Sequence, residues 1–310
     1  MRNKIDWVLT KPVFILKSEI FNWFWRNKNK RKQVKEIAKS QRVLSYLNRY
    51  AAYFSTISPD KDAIPKQEKE RIFSIWLQGE ENAPPIVKVC FASIRKNCTQ
   101  DFVVLDEKTL FDWIQLPDYV VTKWKKGKIH PAHFTDICRL ELLYQYGGIW
   151  ADATDFIAAP FPDWLLNTDF FVYHTGDNID FIGFYSFIQN CFIRAKKNNF
   201  LVKAWRDAVL QYWKEEEKVR DYFVHQLIFK KLVETNILAK ELYTKMPYIV
   251  QDTTHLLWFK HAENPFDEKL FNEITQNAIF QKTEYRSLSS KNPISGSFAE
   301  MMINKYGTDK

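Results

Sequence analysis

The sequence of 310 residues has few cysteines and few glycines, and it lacks any long apolar run. The four cysteines show no paired spacing of the kind that binds zinc, so we expect no structural zinc site and interpret them as reduced, buried thiols of a cytosolic protein. Because no stretch of about eighteen apolar residues occurs, no transmembrane helix is predicted. Lys11, Lys17 and Glu19 interrupt the N-terminal apolar residues, which argues against a cleaved secretory signal.

The net excess of basic charge is confined to the N-terminal segment, although the whole chain carries a net charge of +8. Residues 1–50 contain thirteen Lys and Arg against three Asp and Glu, a net charge of +10, so the other 260 residues carry −2. A nucleic-acid-binding surface on the main body is therefore not expected, and no nucleic-acid partner is predicted.

The basic N-terminal segment has a pattern with two interpretations. Val13, Leu16, Ile20 and Phe24 recur at helical spacing, and the polybasic run 26–32 follows them. An apolar face beside clustered cations is typical of a helix on an anionic membrane surface, where each cation contributes about 1 kcal/mol. The alternative is a helix packed on the rest of the protein with a solvated basic tail. The pattern alone does not separate the two.

The adjacent residues Gly147 and Gly148 stand out among only eight glycines. They follow a predicted helix that begins at Pro131, a residue suited to the first helical turn. We expect the glycines to form a left-handed cap at the end of this helix. Its buried face consists of apolar residues at helical spacing, namely Phe134, Ile137, Leu140, Leu143 and Tyr144.

Charged residues lie on this helix and directly after the strand that follows it. Asp136 and Arg139 are three residues apart, so they occupy neighbouring positions on the helix surface. The apolar run 149–151 predicts a short buried strand, and Asp152 and Asp155 lie where that strand ends. Ligands of open α/β sheets bind at the carboxyl ends of strands, and a carboxylate there can hold a divalent cation against a diphosphate.

Residues 130–155 resemble the donor-binding core of Asp-X-Asp glycosyltransferases, in particular the capsular polysaccharide synthesis proteins of glycosyltransferase family 32. The similarity extends from about residue 71 to near residue 290 and covers most of the chain. The combination is specific, whereas each short piece alone would be weak evidence. Further segments that resemble the family are 75–79, 83–85, 124–129, 205–213 and 221–223.

The resemblance implies roles for individual residues. Trp76 would stack on the nucleobase, and Gly79 would let the backbone approach the nucleotide. Asp136 would contact the nucleoside, and Arg139 the sugar or the diphosphate. Asp152 and Arg139 would be the catalytic residues. The full set of donor-binding residues that the resemblance implies is Trp76, Gln78, Gly79, Asp136, Arg139, Trp150 and Asp152.

The expected cofactor is a divalent cation, Mn²⁺ or Mg²⁺, with Asp152, Asp155 and His255 as candidate ligands. The family's first motif carboxylate falls on Asp152, but the second position falls on Thr154. Asp155 is the nearest substitute, although Thr154 and Asp155 would face opposite sides of a continuous strand; a turn here would remove that limit. His255, near Asp252, is a candidate because distant histidines complete the metal shell in some glycosyltransferases of this fold.

Each candidate residue also has a purely structural interpretation. Asp136 and Arg139 are the pattern of a helix-surface ion pair, Trp76 suits a hydrophobic core and Asp152 suits a helix cap. A lone histidine such as His255 is more often structural than a metal ligand. One shared ligand would account for all of these residues together, which favours the functional interpretation.

Strand and helix signals alternate from residue 71 onwards, which predicts an α/β fold. The resemblance implies a GT-A-like nucleotide-sugar-binding sheet flanked by helices. We predict an N-terminal basic and aromatic helical extension at residues 1–64 and a glycosyltransferase domain with a C-terminal helical part at residues 65–310. Strands are predicted at 71–76, 102–105, 149–151 and 170–173, a strand pair within 181–192, and helices at 86–96, 109–114, 200–213 and 221–233.

The resemblance implies a metal-dependent, retaining hexosyltransferase that uses a nucleotide-diphosphate donor, expected to be a UDP-sugar. The expected acceptor is a lipid-linked oligosaccharide of capsular or exopolysaccharide synthesis. The protein would be cytoplasmic and peripheral on the inner face of the plasma membrane, with residues 1–50 on the anionic surface. Two alternatives stay open. A noncatalytic membrane-peripheral module is suggested by Thr154, and a metal-dependent phosphotransferase would need further ligand clusters.

Overall fold

The computed structural model describes residues 28–61, 63–66, 69–176 and 186–306. Its strands form a central sheet of five members and a separate two-stranded sheet. In chain order the strands are β1 Arg71–Ile75, β2 Asp101–Leu105, β3 Gly148–Ala151, β4 Asp155–Ile157, β5 Phe170–His174, β6 Ile188–Ala195 and β7 Phe280–Lys282.

The central sheet is mixed and has the strand order β2-β1-β3-β6-β5. β1 runs parallel to both β2 and β3, whereas β6 runs antiparallel to β3 and β5. β1 and β3 are buried along almost their whole length, as expected for apolar strands that are covered on both faces. The predicted α/β class is therefore confirmed, with an antiparallel half that the strand signals did not specify.

Helices flank this sheet, and their positions match the predicted ones closely. The predicted helices at 86–96, 109–114, 200–213 and 221–233 correspond to observed helices at 85–97, 110–113, 200–215 and 224–235. The helices of the described residues are α1 Lys28–Leu47, α2 Ala51–Thr56, α3 Pro85–Asn97, α4 Leu110–Trp113, α5 Asp118–Lys125, α6 Pro131–Tyr146, α7 Asp163–Asn167, α8 Phe200–Glu215, α9 Val224–Thr235, α10 Ile237–Thr244, α11 Leu256–Phe259, α12 Glu268–Asn277, α13 Leu288–Lys291 and α14 Phe298–Tyr306.

The junction between α6 and β3 depends on its two glycines, but in a different conformation from the predicted one. Gly147 has φ +66° and ψ −164°, which lies outside the left-handed helical region. A Cβ on Gly147 would lie 2.4 Å from the backbone nitrogen of Lys197, and one on Gly148 would lie 2.3 Å from the carbonyl oxygen of Arg71. The expectation of a left-handed cap is therefore corrected: glycine is needed here because neighbouring backbone lies against both residues.

One strand prediction is tested only in its second half. Residues 181–192 were expected to form a strand pair; the residues from Ile188 onwards form the strand β6, and Ser186 and Phe187 before it lie outside any strand. β6 pairs with β3 on one side and β5 on the other. Residues 181–185 lie outside the described residues.

The described part of the basic N-terminal segment packs on the main body. α1 lies against α9, and Val43, Leu44 and Leu47 are buried in the principal core. The hydroxyl groups of Tyr46 and Tyr50 donate to the buried carboxylate of Glu216. These contacts correspond to the packing alternative for this part of the segment. The candidate membrane-binding residues 13–24 lie outside the described residues, and the domain boundary at residue 64 stays a prediction.

The C-terminal helices form a second, smaller core against α3 and β4, which includes Phe156, Trp258 and Phe298. This core holds β7 antiparallel to β4, with Asp155 opposite Lys282. Gln281 is fully buried, and its side chain bonds the backbone of Leu257, Thr253 and Ala278. The packing therefore fixes β7 beside the end of β3.

The prediction that no helix spans a membrane agrees with the part of the chain that is described. Among those residues, no helix combines the length and the apolar character needed to cross a bilayer.

Candidate functional site

The sheet edge at the carboxyl ends of β1 and β3 carries the predicted site residues. β1 and β3 are parallel, with Phe73 opposite Trp150, so Trp76 and Asp152 both leave the sheet at this edge. This is the position at which α/β sheets bind ligands.

A tight turn follows β3 and brings Asp155 back towards Asp152. The Asp155 N–H donates to the carbonyl oxygen of Asp152 at 2.9 Å, and the Asp152 N–H donates to Oδ2 of Asp155 at 2.9 Å. Thr283 donates through its N–H and its hydroxyl to the carbonyl oxygen of Thr154. The turn therefore removes the alternation of a continuous strand, and the two aspartates lie on one side.

Arg139 connects the helix α6 to this turn. Its Nη2 lies 2.9 Å from Oδ1 of Asp136 and 3.1 Å from Oδ1 of Asp152. The guanidinium lies over the ring of Trp150, with Cζ 4.7 Å from the centroid, and the indole Nε1 donates to Oδ1 of Asp152 at 2.8 Å. Arg139 is only 4% exposed, so the surface ion-pair alternative does not apply. The structure brings these four predicted residues together.

Three residues that sequence reasoning did not select support Asp136. Asn190 Nδ2 donates to Oδ1 of Asp136 at 2.9 Å, and His225 Nδ1 lies 3.1 Å from Oδ2. The Trp213 indole donates to Nε2 of His225 at 2.8 Å. Because an indole N–H can only donate, Nε2 is the acceptor and the ring hydrogen of His225 is on Nδ1, the atom nearest Asp136.

This environment keeps Asp136 ionised. Burial alone would raise the pKa of Asp136, but the guanidinium of Arg139 and the hydrogen bond from His225 outweigh burial and hold the pKa below its usual range. The only signals for Asn190 and His225 in the sequence were their residue types, since both lie on elements more than fifty residues after Asp136.

A second cation that sequence reasoning missed lies between the two aspartates. Lys282 Nζ is 2.8 Å from Oδ2 of Asp152 and 2.9 Å from Oδ1 of Asp155. Burial alone would lower the pKa of Lys282, but the two carboxylates outweigh burial and raise it above its usual range. Burial raises the pKa of the fully buried Asp155, and the ammonium of Lys282 opposes that shift. Lys282 is therefore a charged, fixed partner at neutral pH.

Trp76 lies at the same edge, half-buried, with its ring edge-on to Tyr285 at a centroid distance of 5.2 Å. Its indole Nε1 is buried and has no hydrogen-bond partner among the described residues, and the same is true of Nε of Arg139. Buried donors without partners are rare in folded proteins. Each of these two donors would need a partner from a ligand or from a rearrangement of the side chain to be satisfied.

Gln78 and Gly79 lie in the loop after β1. Gln78 is exposed, and its carbonyl oxygen accepts from Nδ2 of Asn82 at 2.8 Å. Gly79 has φ +85°, a value that favours glycine. In the described structure no hydrogen bond joins either residue to Arg139 or Asp152, so their predicted contact with a donor rests on the loop position alone.

His255 is buried in the 3₁₀ segment Gln251–His255. Its Nδ1 lies 2.8 Å from Oγ1 of Thr254 and 3.3 Å from the carbonyl oxygen of Gln251. Burial lowers the pKa of His255 to about 4, and the nearby charge of Lys282 acts in the same direction. Over the described parts of the chain, no group of three or more His, Cys, Asp or Glu side chains could hold a metal ion.

The residues present do not fit a divalent cation as they are arranged. The four side-chain oxygens of Asp152 and Asp155 already accept from Trp150, Arg139, Lys282 and a backbone N–H. A divalent ion close to Asp152 would also lie near the ammonium of Lys282. Repulsion between them at 4 Å would be about 8 kcal/mol, twice that of two unit charges at an effective dielectric constant of 20.

The arrangement suits an anionic ligand. Two fixed cations, Arg139 and Lys282, lie on either side of Asp152 at a sheet edge, and Arg139 has an unpaired N–H. Charge-assisted hydrogen bonds to phosphate oxygens are among the strongest polar contacts in proteins, and a guanidinium matches phosphate geometry.

Comparisons with known proteins identify a matching protein family and one curated relative. A family described as capsular polysaccharide synthesis protein matches residues 21–305. The O-glycosyltransferase braB of Annulohypoxylon truncatum is 24% identical over 181 residues, which are 53% of this chain and 42% of braB. The chain therefore spans less than half the length of this curated relative.

Among solved structures, the PaToxG glycosyltransferase covers 89% of this chain and 95% of its own chain at 14% identity, with a TM-score of 0.37. A likeness at this level supports no statement about the fold.

Proposed function

The chain belongs to the capsular polysaccharide synthesis protein family, and from this membership we propose that it is a glycosyltransferase of capsular polysaccharide synthesis. The name of the relative braB, an O-glycosyltransferase, supports sugar transfer to an oxygen atom. The observation that carries the proposal is the arginine bridge at the sheet edge, in which Arg139 joins Asp136 and Asp152.

The proposed donor is a nucleotide-diphosphate sugar, with UDP as the expected nucleotide, bound in a GT-A-like manner. Trp76 would stack on the base, and Gln78 and Gly79 would lie along the nucleotide. Asp136 is ionised and buried, which suits an acceptor of hydrogen bonds from ribose or sugar hydroxyl groups. Trp150 and Asp152 would hold Arg139 against the diphosphate.

The proposed chemistry follows the charge that develops in the reaction. When the sugar–phosphate bond breaks, negative charge develops on the leaving diphosphate, and fixed cations stabilise that charge without reorganisation. Arg139 is such a cation because Asp136, Asp152 and the carbonyl oxygen of Asn190 hold it in place. Transfer with retention would proceed by attack of an acceptor hydroxyl on the face that the diphosphate leaves, and the leaving phosphate would take the proton.

The proposed acceptor is a lipid-linked oligosaccharide at the inner face of the membrane. The support for it is the basic and aromatic N-terminal segment, residues 1–50, whose charge of +10 suits an anionic surface. Binding of phosphatidylglycerol-containing vesicles by the full chain, compared with neutral vesicles, tests this part separately from the donor site.

The experiment that tests donor binding is a thermal unfolding series of the purified protein with UDP, GDP, ADP and CDP. A ligand that binds only the folded state raises the midpoint, so one nucleoside diphosphate is expected to raise it and the others less. Asp152→Asn should lose this shift, whereas Asp163→Asn on the distant helix α7 should keep it. Absence of a shift with all four nucleotides would leave the noncatalytic alternative as the better interpretation.

The family resemblance implies dependence on Mn²⁺ or Mg²⁺, whereas the side chains at the sheet edge do not fit such an ion as they are arranged. The same series, repeated with Mn²⁺ and with a chelator, measures this dependence.

A further inference from the structure

Lys282 lies where a divalent cation would be expected, against the carboxylates at the end of β3. We propose that the ammonium of Lys282 takes the place of this cation and that the protein binds the diphosphate of its donor without a metal ion. This inference rests on the proposed function, because it concerns the same donor site.

The position of Lys282 is fixed by strand pairing rather than by a flexible side chain on the surface. Asp155 and Lys282 are directly opposite each other in the β4–β7 ladder, an arrangement that brings the two side chains together. The next residue, Thr283, donates twice to the carbonyl oxygen of Thr154. The turn that carries both aspartates and the strand that carries the lysine therefore form one unit.

Lys282 and Arg139 reach the same carboxylate from two sides. Lys282 contacts Oδ2 of Asp152, and Arg139 contacts Oδ1. A diphosphate at this sheet edge would meet both cations. In a metal-dependent site, a metal ion and a basic side chain together would neutralise the diphosphate. Here the side chains of Lys282 and Arg139 would supply both positive charges.

Both cations retain a donor for a ligand. An ammonium group has three N–H donors, and the described structure uses two of those of Lys282, one to each aspartate. The Lys282 side chain is 17% exposed. Nε of Arg139 is buried and has no partner among the described residues. These donors suit the oxygens of a diphosphate, which only accept hydrogen bonds.

The segment that carries Lys282 also reaches the proposed base-binding residue. Tyr285, three residues after Lys282, packs edge-on against Trp76. The exposed Arg286 follows, with Cζ 5.0 Å from the centroid of the Tyr285 ring. The segment from Lys282 to Tyr285 therefore lies along the sheet edge where the donor would bind. This position favours a role of Lys282 in donor binding over a purely structural ion pair.

The motif also lacks the second acidic residue that would normally bind a metal ion. Divalent magnesium and manganese prefer several oxygen ligands, yet position 154 of the motif is a threonine. The described residues add no third His, Cys, Asp or Glu to Asp152 and Asp155. A lysine between two carboxylates is a consistent substitute, since it satisfies both without further ligands.

The test is isothermal titration of the wild-type protein with the nucleoside diphosphates above, in a chelator and in excess Mn²⁺. We expect the affinity for the preferred nucleotide to change less than about threefold between the two conditions. Lys282→Gln should lower the affinity in chelator by roughly tenfold or more, equivalent to about 1.4 kcal/mol. Lys282→Arg, which keeps the charge, should retain most of it.

A matched control lies elsewhere in the chain. Lys203 also contacts two carboxylates, those of Asp207 at 2.7 Å and Asp60 at 3.4 Å, and its side chain is similarly buried. Lys203→Gln should therefore perturb folding in a similar way but leave nucleotide affinity unchanged.

A second readout separates a ligand-binding lysine from a structural one. Lys282→Ala frees the carboxylates of Asp152 and Asp155, so Mn²⁺ should raise the nucleotide affinity of this variant although it does not raise that of the wild type. Such a gain of metal dependence is not expected if Lys282 only stabilises the fold.

The outcomes that overturn the inference are distinct from failure of the proposed function. If wild-type protein binds nucleotide only with Mn²⁺, or if Lys282→Gln binds as well as wild type in chelator, the lysine does not replace the ion and the proposed function stands. If no nucleoside diphosphate binds under either condition, the proposed function itself fails. Should the Lys282 variants not fold, the wild-type comparison still decides.

Discussion

Arg139 and Lys282 hold the same carboxylate, Asp152, but they reach it by different routes. Arg139 lies on α6, thirteen residues before Asp152, and is surrounded by Asp136, Trp150 and Asn190. Lys282 arrives 130 residues after Asp152 on the short strand β7 and touches only carboxylates at the site. The arginine is thus part of the core of the sheet edge, whereas the lysine is a partly accessible cation beside it. The difference predicts unequal effects on folding and on ligand binding.

The largest effect is expected from removal of the arginine. Arg139→Ala leaves Asp136 and Asp152 without their shared cation, and breaking a buried ion pair costs about 3–5 kcal/mol. The free energy of unfolding, measured by urea denaturation, should fall by this amount. The control is Arg95→Ala, because Arg95 forms a bidentate but exposed pair with Glu80 and should cost less than about 1 kcal/mol. Equal losses in the two variants would contradict the buried role of Arg139.

Removal of the lysine should cost less at low pH than at high pH. Burial raises the pKa of Asp155 to about 8 even beside Lys282, so below pH 8 both wild type and Lys282→Met keep a proton on Asp155 that the unfolded chain releases above its ordinary pKa near 4. Without the opposing ammonium, the pKa of Asp155 in Lys282→Met is higher still. Stability relative to wild type is therefore lost only as the pH rises above 8, by up to about 1.4 kcal/mol per pH unit.

Urea denaturation of wild type and Lys282→Met at pH 7 and pH 9.5 measures this dependence. We expect a deficit about 1–2 kcal/mol larger at pH 9.5 than at pH 7. The double variant Lys282→Met/Asp155→Asn removes the titrating group and should show the same deficit at both values. Parallel pH profiles of wild type and the single variant would mean that the ammonium of Lys282 does not lower the pKa of Asp155.

A smaller loss of stability is expected when His225, which contacts the arginine's partner Asp136, is replaced. His225→Leu removes the hydrogen bond to Asp136 and leaves the Trp213 indole without an acceptor. Each unsatisfied buried group costs about 1–3 kcal/mol, but Asp136 keeps Asn190 and Arg139 as partners. We expect a loss of about 2 kcal/mol by thermal or urea unfolding. His261→Leu, whose ring contacts only the exposed amide of Asn264 among polar groups, should change stability by less than about 0.5 kcal/mol.

The smallest effect concerns the neutral donor to Asp152. Trp150→Phe removes one indole N–H and keeps an aromatic ring beneath Arg139. Both cations still hold the carboxylate, so the loss should be about 1–2 kcal/mol, the sum of one hydrogen bond and a small cavity. Trp164→Phe on the surface is the comparison, with an expected change below about 0.5 kcal/mol. A loss in Trp150→Phe as large as that of Arg139→Ala would show that the indole, and not the cation, orders Asp152.

Local patterns predicted one half of the site. Helical spacing placed Asp136 and Arg139 together, and the glycine pair ended the helix so that Asp152 followed a short strand. These contacts span few residues, and their geometry follows from the regular helix and strand. Even here the backbone of Gly147 differs from the expected cap, because Lys197, a residue distant in sequence, lies against it.

The other half could not be predicted in the same way. Lys282, Asn190 and His225 are ordinary polar residues within apolar or amphipathic segments, and no spacing links them to Asp152 or Asp136. His255 was selected for its residue type and its place after an apolar stretch; its Nδ1 contacts Thr254 and the carbonyl oxygen of Gln251, and its role as a metal ligand stays a prediction.

The sequence by itself determined the family, the strand and helix alternation and the local group of Asp136, Arg139 and Asp152, because periodicity and short spacings follow from backbone geometry. Only the tertiary structure decided which cation faces the two aspartates. That choice depends on the β4–β7 register, which the second core fixes by packing the C-terminal helices on α3. A strand register is set by the sum of many distant apolar contacts, so no local segment of the chain contains it.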